Sequence, residues 1–293
     1  MKDIIFHADH HFMIGDGHRR DGKPCQDHAL SEIRGSYAFA TVSDGCSGGG
    51  QTDIGARLVS LATANAVAEE RDDTPDRKTA ERVRARRGVI LRHAQDLLRL
   101  DTADMLATSI YTLIGTEGGY VSVHGDGIVA YRLRDGILVA HRFEWADNTP
   151  FYPAYRNGAL DSFVKAHGID LEAKRLTESC FARSTEGRWT PFRTNEYSLR
   201  EGIDGVVIPF DRAALEDTEV IAVGTDGLTQ VEGADWTDIV GSLLDFRNHT
   251  GMFVKRRMER EMTARQKRGE VPYDDLAMAV IHVGMTEAET END

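Results

Sequence analysis

The feature that most constrains the fold is a change of hydrophobic period in the middle of the chain. From about residue 105, apolar and polar residues alternate in short runs that glycine or Asp-Gly turn signals separate. Successive side chains of a β-strand point to opposite faces, so a period of two indicates strands joined by tight turns. The runs are ATSIYTLIG, GYVSVHGDG, IVAYRLRDG and ILVAHRFEW. They predict an antiparallel meander over about 105–145.

Helical patterns flank this meander on both sides. Helix-starting residues and apolar residues at helical spacing predict helices over about 52–70, 74–100, 235–246 and 251–268. Further apolar, strand-like runs open the chain, close it and precede two other Asp-Gly pairs. This order predicts an α+β fold, a four-layer α-β-β-α sandwich in which two antiparallel sheets are flanked by helices.

The stretch 145–217 interrupts the regular pattern. It carries aromatic residues, prolines and charges without a clear period, which predicts an irregular insert of loops and short helices. Residues 1–285 are expected to form a single domain around this insert. The acidic residues 286–293 are expected to form a disordered tail.

Net charge restricts the binding partners, and the N-terminal residues and the cysteines restrict the compartment. The formal net charge is −13, which disfavours binding to nucleic acid or to an anionic membrane surface. The first residues lack the apolar segment of a signal peptide, and no apolar run is long enough to span a membrane. The three cysteines form no CxxC pair, so no disulfide framework is indicated. We therefore expect a cytoplasmic protein.

Aspartates recur where apolar strands end. Asp44 and Asp226 each follow such a strand and precede glycine, and Asp27 and Asp274 lie beside other strand-like runs. Hard divalent cations prefer carboxylate, carbonyl and water oxygens as ligands. Clustered carboxylates would repel one another without metal. An Asp-Gly pair can also be only a turn, and spacing alone does not show that the four aspartates converge.

Six blocks of the sequence, in this order, resemble the motifs of the type 2C, or metal-dependent, protein phosphatases. They are QDHA, YAFATVSDGCSGGG, LATSIYTLIG, GYVSVHGDGIVAYRLRDG, VIAVGTDGLTQ and DDLAMAVIHV. The similarity runs from about residue 7 to residue 284, is weakest over 145–217, and with GDG in the fourth block is closest to the bacterial branch. The resemblance implies hydrolysis of phosphoserine and phosphothreonine in proteins, with two Mn²⁺ or Mg²⁺ ions. It also implies a substrate of a cognate serine/threonine kinase, and we expect a monomer.

The resemblance assigns roles to individual residues. Asp44 would bridge both cations, and Asp226 and Asp274 would complete the first site. Asp27 and the backbone carbonyl of Gly45 would complete the second site. Water activated between two cations would attack phosphorus, so no nucleophilic side chain is needed.

Three assignments around this set stay open. Asp275 follows the last ligand and is expected to support the ligands rather than bind metal. Family members commonly have an arginine shortly before the first acidic motif, where it holds the phosphate. In this sequence His18, Arg19 and Arg20 are the candidates, and a solvated basic loop is the alternative.

A third metal site, which many bacterial members have, finds no clear match. Asp147 is the nearest candidate, whereas Asp126 in GDG is interpreted as a turn residue. The histidines of HADHH, which include His7 and His10, are interpreted as strand residues with local hydrogen bonds rather than zinc ligands. The reason is that no second group of ligands is visible in the sequence.

Two other functions are compatible with these patterns. An inactive relative could bind phosphorylated partners without hydrolysis, although such a module would not need the full set of ligand positions. An enzyme acting on small phosphoesters is also compatible, because the two-metal core does not determine what lies beyond the phosphate.

Overall fold

The computed structural model describes residues 3–70, 74–157, 160–168 and 173–286. The strands are β1 (Asp3–Met13), β2 (Asp27–Arg34), β3 (Tyr37–Asp44), β4 (Ser109–Gly115), β5 (Gly118–His124), β6 (Gly127–Leu133), β7 (Leu138–Trp145), β8 (Arg175–Arg183), β9 (Trp189–Ser198), β10 (Val206–Asp211), β11 (Thr218–Gly224), β12 (Val231–Glu232), β13 (Val271–Pro272) and β14 (Leu276–Thr286). The helices are α1 (Asp16–Asp21), α2 (Thr52–Ala68), α3 (Arg77–Leu98), α4 (Leu160–His167), α5 (Leu199–Asp204), α6 (Arg212–Asp217), α7 (Trp236–Leu243) and α8 (Phe253–Gln266).

Two antiparallel sheets form the centre of the molecule. One has seven strands in the order β1-β14-β11-β6-β7-β8-β9, and the other has five in the order β10-β5-β4-β3-β2. A hydrophobic core lies between the sheets, and further cores lie beneath α7 and α8 on one side and beneath α2 and α3 on the other. The predicted α-β-β-α sandwich is confirmed.

The last strand shows how the sequence builds these layers. Along β14, Ala277, Ala279 and Ile281 belong to the core between the sheets, whereas Met278 and Val280 belong to the core beneath α7 and α8. Alternate side chains of a strand point to opposite faces, so a strand between two layers has to be apolar at every position. This strand therefore reads as a continuous apolar run.

The four helices predicted from the sequence are present as α2, α3, α7 and α8. The four strands predicted over 105–145 are present as β4 to β7, but they form two hairpins in different sheets rather than one meander. The short α1 was missed. None of the helices described is both long enough and apolar enough to cross a membrane.

The interpretation of 145–217 as loops and short helices is wrong for the residues of β8, β9 and β10, whereas α4, α5 and α6 are short helices. β8 and β9 extend the seven-stranded sheet and β10 forms an edge of the other, so much of this stretch is sheet. β9 is largely exposed, so it lacks the apolar alternation by which strands are recognised. The predicted tail over 286–293 lies outside the described residues except for Thr286, which ends β14.

Candidate active site

Aspartates from both sheets meet at one end of the sandwich. Asp27 begins β2 and lies directly opposite Asp44, which ends β3. Asp226 follows β11 after one intervening residue, and Asp274 precedes β14. Thr225 joins the two sheets, because its Oγ1 donates to Asp27 Oδ2 at 2.6 Å and accepts from the Ala277 backbone N–H at 2.9 Å.

Burial and neighbouring charges raise the pKa values of these carboxylates. Burial, together with the charges of Asp27 and Asp226, raises the pKa of Asp44 well above its usual range. Burial also raises the pKa of Asp27, although the hydrogen bond from Thr225 opposes the shift. Burial and the nearby Asp274 raise the pKa of Asp226 to about 6. The positive charge of Arg142 only partly opposes the rise at Asp226, so the protein leaves these carboxylates short of counter-charge.

Asp126 joins this group, which the sequence interpretation did not foresee. It lies in the turn between β5 and β6 and is only 6% exposed. Burial and the charge of Asp226 raise its pKa well above the usual range. Its Oδ1 is buried, and no described residue forms a hydrogen bond with it. We call Asp27, Asp44, Asp126, Asp226 and Asp274 the acidic cluster.

Gly45 is the residue that the close packing beside Asp44 requires. A Cβ atom built there would lie 2.6 Å from the Thr52 carbonyl oxygen and 2.8 Å from that of Gln26. The Gly45 N–H donates to the Gln26 carbonyl at 3.1 Å. Its own carbonyl oxygen accepts no hydrogen bond within the described part of the chain. That oxygen can therefore serve as a cation ligand.

Asp275 holds the surrounding backbone rather than facing the cluster. It is 1% exposed, and its Oδ1 accepts from the Gly15 N–H at 2.7 Å. Its Oδ2 accepts from the Gln26 N–H at 2.5 Å and lies 2.8 Å from His18 Nδ1. The carboxylate thus ties the connection between β1 and β2, which leads into Asp27, to the segment before β14, which carries Asp274.

The three basic candidates from the sequence have different surroundings. His18 is buried on α1 and is bound to Asp275. Arg19 and Arg20 are exposed, and both pair with Asp16, at 2.9 and 3.1 Å. Each of the three already has a carboxylate partner.

Arg142 on β7 is a basic residue that the sequence interpretation missed. It lines a cavity of about 300 Å³ together with Asp126 and Asp226. One terminal nitrogen pairs with Glu144 at 2.5 Å, whereas the buried Nε finds no partner among the described residues. Its guanidinium carbon lies 5.8 Å from the ring centre of Trp236. No motif in the sequence marks this residue, because only the order of strands brings it to the cluster.

Asp147, the candidate for a third metal site, lies in a surface turn. Its backbone is left-handed, with φ of 57°, and its side chain is 80% exposed. Its Oδ2 lies 3.4 Å from Lys174 Nζ. The structure thus gives Asp147 a surface ion pair, whereas Asp126 belongs to the acidic cluster.

The donor set of the acidic cluster fits divalent cations of the Mg²⁺ or Mn²⁺ type. It consists of carboxylate oxygens and a backbone carbonyl, which are the ligands that hard cations prefer. The raised pKa values and the unpartnered Asp126 oxygen indicate a site that is incomplete without positive charge.

We predict that His18→Leu destabilises the protein. The change leaves a buried Asp275 oxygen without one of its donors, which costs about 1–3 kcal/mol. Urea denaturation measures the free energy of unfolding. Arg20→Leu is the matched control, and a change within about 0.5 kcal/mol is expected because the side chain is exposed. Equal stability of His18→Leu and the wild type would contradict the structural role of His18.

Comparisons with known proteins agree with this geometry. The family model described as protein phosphatase 2C matches residues 14–267. Among solved structures, the serine/threonine phosphatase Stp1 from Staphylococcus aureus is 11% identical, with a TM-score of 0.55 and 96% of each chain covered. The catalytic domain of the phosphatase PstP, in complex with two manganese ions, is 18% identical, with a TM-score of 0.54 over 96% of this chain and 99% of that one.

A eukaryotic structure shares the same fold. The serine-threonine phosphatase 2C of Toxoplasma gondii is 15% identical, with a TM-score of 0.57 and 95% of each chain covered. No curated protein sequence matches the chain significantly. At these identities the solved structures show the fold, and the family model over most of the chain shows the family. The chain belongs to the protein phosphatase 2C family.

Proposed function

We propose that this chain removes phosphate from phosphoserine and phosphothreonine in other proteins, with the acidic cluster as its catalytic centre. Family membership gives the type of enzyme, which is a metal-dependent protein phosphatase that uses two divalent cations. The observation that supports the placement is the convergence of five buried or half-buried aspartates from both sheets at one end of the sandwich.

The residues divide between the two cations as follows. Asp44 is shared by both, because it faces Asp27 across β2 and β3 and also feels the charges of Asp226 and Asp274. Asp226 and Asp274 hold the first cation, and Asp27 and the Gly45 carbonyl contribute to the second. Divalent cations supply positive charge that lowers the pKa of water and neutralises phosphoryl oxygens.

Neighbouring residues keep these ligands in position. Thr225 orients Asp27 through a hydrogen bond of 2.6 Å. Asp275, bound by His18 and by two backbone N–H groups, fixes the segments that carry Asp27 and Asp274. Oriented ligands need little rearrangement during the reaction, which is how a fixed site lowers the barrier.

Arg142 is our candidate for contact with the phosphoryl group. It lines the cavity beside Asp126 and Asp226, and its positive charge acts on the Asp226 carboxylate. A guanidinium can donate two hydrogen bonds to a phosphate in a planar geometry. Arg19 and Arg20, which pair with Asp16, do not line this cavity.

We propose a monomeric, cytoplasmic enzyme in which residues 1–285 form one domain. Its substrates would be proteins phosphorylated by a cognate serine/threonine kinase. The segment 145–217 borders the cavity through Trp145 and Asn148 and would contribute to the choice of substrate.

The direct test is hydrolysis of a phosphothreonine peptide. Release of phosphate should require Mn²⁺ or Mg²⁺ and stop when EDTA removes the metal. A phosphotyrosine peptide of the same sequence is the control and should be cleaved more slowly. Full activity in the metal-stripped protein, or a preference for phosphotyrosine, would contradict the proposed function.

We predict that Asp44→Asn is more damaging than Asp274→Asn. Loss of the shared ligand weakens both cation sites, so turnover should fall roughly a hundredfold to a thousandfold. Excess Mn²⁺ should restore part of the activity of Asp274→Asn and little of that of Asp44→Asn. The measurement is a Mn²⁺ titration of phosphatase activity.

Calorimetry of the metal-free proteins provides the control for folding in this comparison. Asp44→Asn should be at least as stable as the wild type, because the substitution removes one of several repelling carboxylates. A folded Asp44→Asn protein with nearly normal turnover would show that Asp44 is not shared between cations.

We predict that Arg142→Met lowers kcat/KM for the phosphopeptide roughly tenfold to a hundredfold. This is the expected effect of losing a hydrogen bond to a charged group. Methionine keeps an apolar side chain against Trp236. Arg20→Met is the matched control and should leave kcat/KM unchanged. The reverse pattern would assign phosphate binding to the basic loop before Asp27.

A further inference from the structure

A second group of metal-binding side chains lies on the outer face of the seven-stranded sheet. His7 on β1 lies directly opposite His282 on β14, and Glu219 on β11 is next to Val220, which also lies opposite His282. His249, between α7 and α8, reaches the same point. We call His7, Glu219, His249 and His282 the histidine cluster.

The histidine cluster is separate from the acidic cluster. His282 lies eight residues beyond Asp274, which is roughly 27 Å of extended chain. Glu219 lies seven residues before Asp226, at the opposite end of β11. A ligand in one cluster therefore cannot touch the other.

The distances suit one small ion. One ligand atom from each of Glu219, His249 and His282 lies within 4.8 Å of the other two. His7 Nδ1 is 3.4 Å from His282 Nδ1. In a tetrahedral zinc site, bonds of about 2.0–2.1 Å place neighbouring nitrogen ligands about 3.3 Å apart. The histidine pair across β1 and β14 already has this spacing.

Two further observations indicate a ligand site rather than a chance cluster. His249 Nε2 is buried, and none of the residues described supplies a hydrogen-bond partner for it. Glu219 accepts a hydrogen bond of 2.9 Å from Arg132 Nε, which fixes its carboxylate. Metal-binding carboxylates commonly have such a partner.

We propose that the histidine cluster binds a transition-metal ion such as Zn²⁺, in addition to the cations of the catalytic centre. Imidazole ligands favour zinc and its neighbours, whereas the oxygen ligands of the acidic cluster favour Mg²⁺ and Mn²⁺. The rings of His249 and His282 stack with their centres 3.7 Å apart. Binding would turn the His249 ring so that a nitrogen points at the ion, and would tie the α7–α8 connection to three strands.

The test uses Co²⁺ and Zn²⁺ on the full chain in the presence of excess Mg²⁺, which occupies the acidic cluster. Tetrahedral Co²⁺ with nitrogen ligands absorbs visible light much more strongly than octahedral Co²⁺ with oxygen ligands. The wild type should show the strong bands, and equilibrium dialysis should find one bound Zn²⁺ that His249→Gln and His282→Gln both lose. His93→Gln, which alters an exposed histidine on α3, should behave as the wild type.

A readout of activity separates this proposal from the catalytic one. His249→Gln should hydrolyse the phosphothreonine peptide at the wild-type rate in Mg²⁺, because the catalytic centre is at the other end of the sheet. If His282→Gln fails to fold, His249→Gln decides, because His249 lies outside the helices and strands. Wild-type protein without the strong Co²⁺ bands, or unchanged Zn²⁺ binding by His249→Gln, would overturn the proposal.

Discussion

The mutual repulsion of buried carboxylates is the constraint on which the rest of this structure depends. Burial raises the pKa values of Asp27, Asp44 and Asp226. The charges of Asp27 and Asp226 raise that of Asp44 further, and the charge of Asp274 does the same for Asp226. A fold that keeps such groups together stores unfavourable free energy until positive charge arrives. The two sheets are the rigid support that makes this possible, since each sheet delivers aspartates from the ends of hydrogen-bonded strands. Cation binding should therefore stabilise the fold by relieving this repulsion.

At the same end of the sandwich, neighbouring residues hold the metal ligands in position. Asp275 takes its hydrogen bonds from His18 and from backbone N–H groups, so it stabilises the surrounding backbone. Thr225 connects Asp27 to β14. The neighbouring Asp126 oxygen and Arg142 Nε keep unused bonding capacity at the cavity. The supporting residues are thus bound by protein partners, whereas these two cavity atoms have none among the described residues.

Local sequence patterns predict most of the strands and two of the aspartates, because both depend on short-range rules. A period of two and an Asp-Gly turn are visible within a few residues, and they mark Asp44 and Asp226. Asp126 carries the same signal but was interpreted as a turn, since its burial beside Asp226 depends on strand order. Arg142, and the meeting of His7 with His282, depend on register across distant strands. The exposed β9 lacks alternation altogether.

The central claim is that Asp44 is shared by two cations, and counting bound metal tests it most directly. Equilibrium dialysis of the wild type and of Asp44→Asn against the same Mn²⁺ concentration gives the number of ions bound per chain. The difference cancels any cation held elsewhere, including by the histidine cluster. The account predicts that the single substitution removes two Mn²⁺ ions. A loss of one ion, or of none, from a folded variant would contradict it.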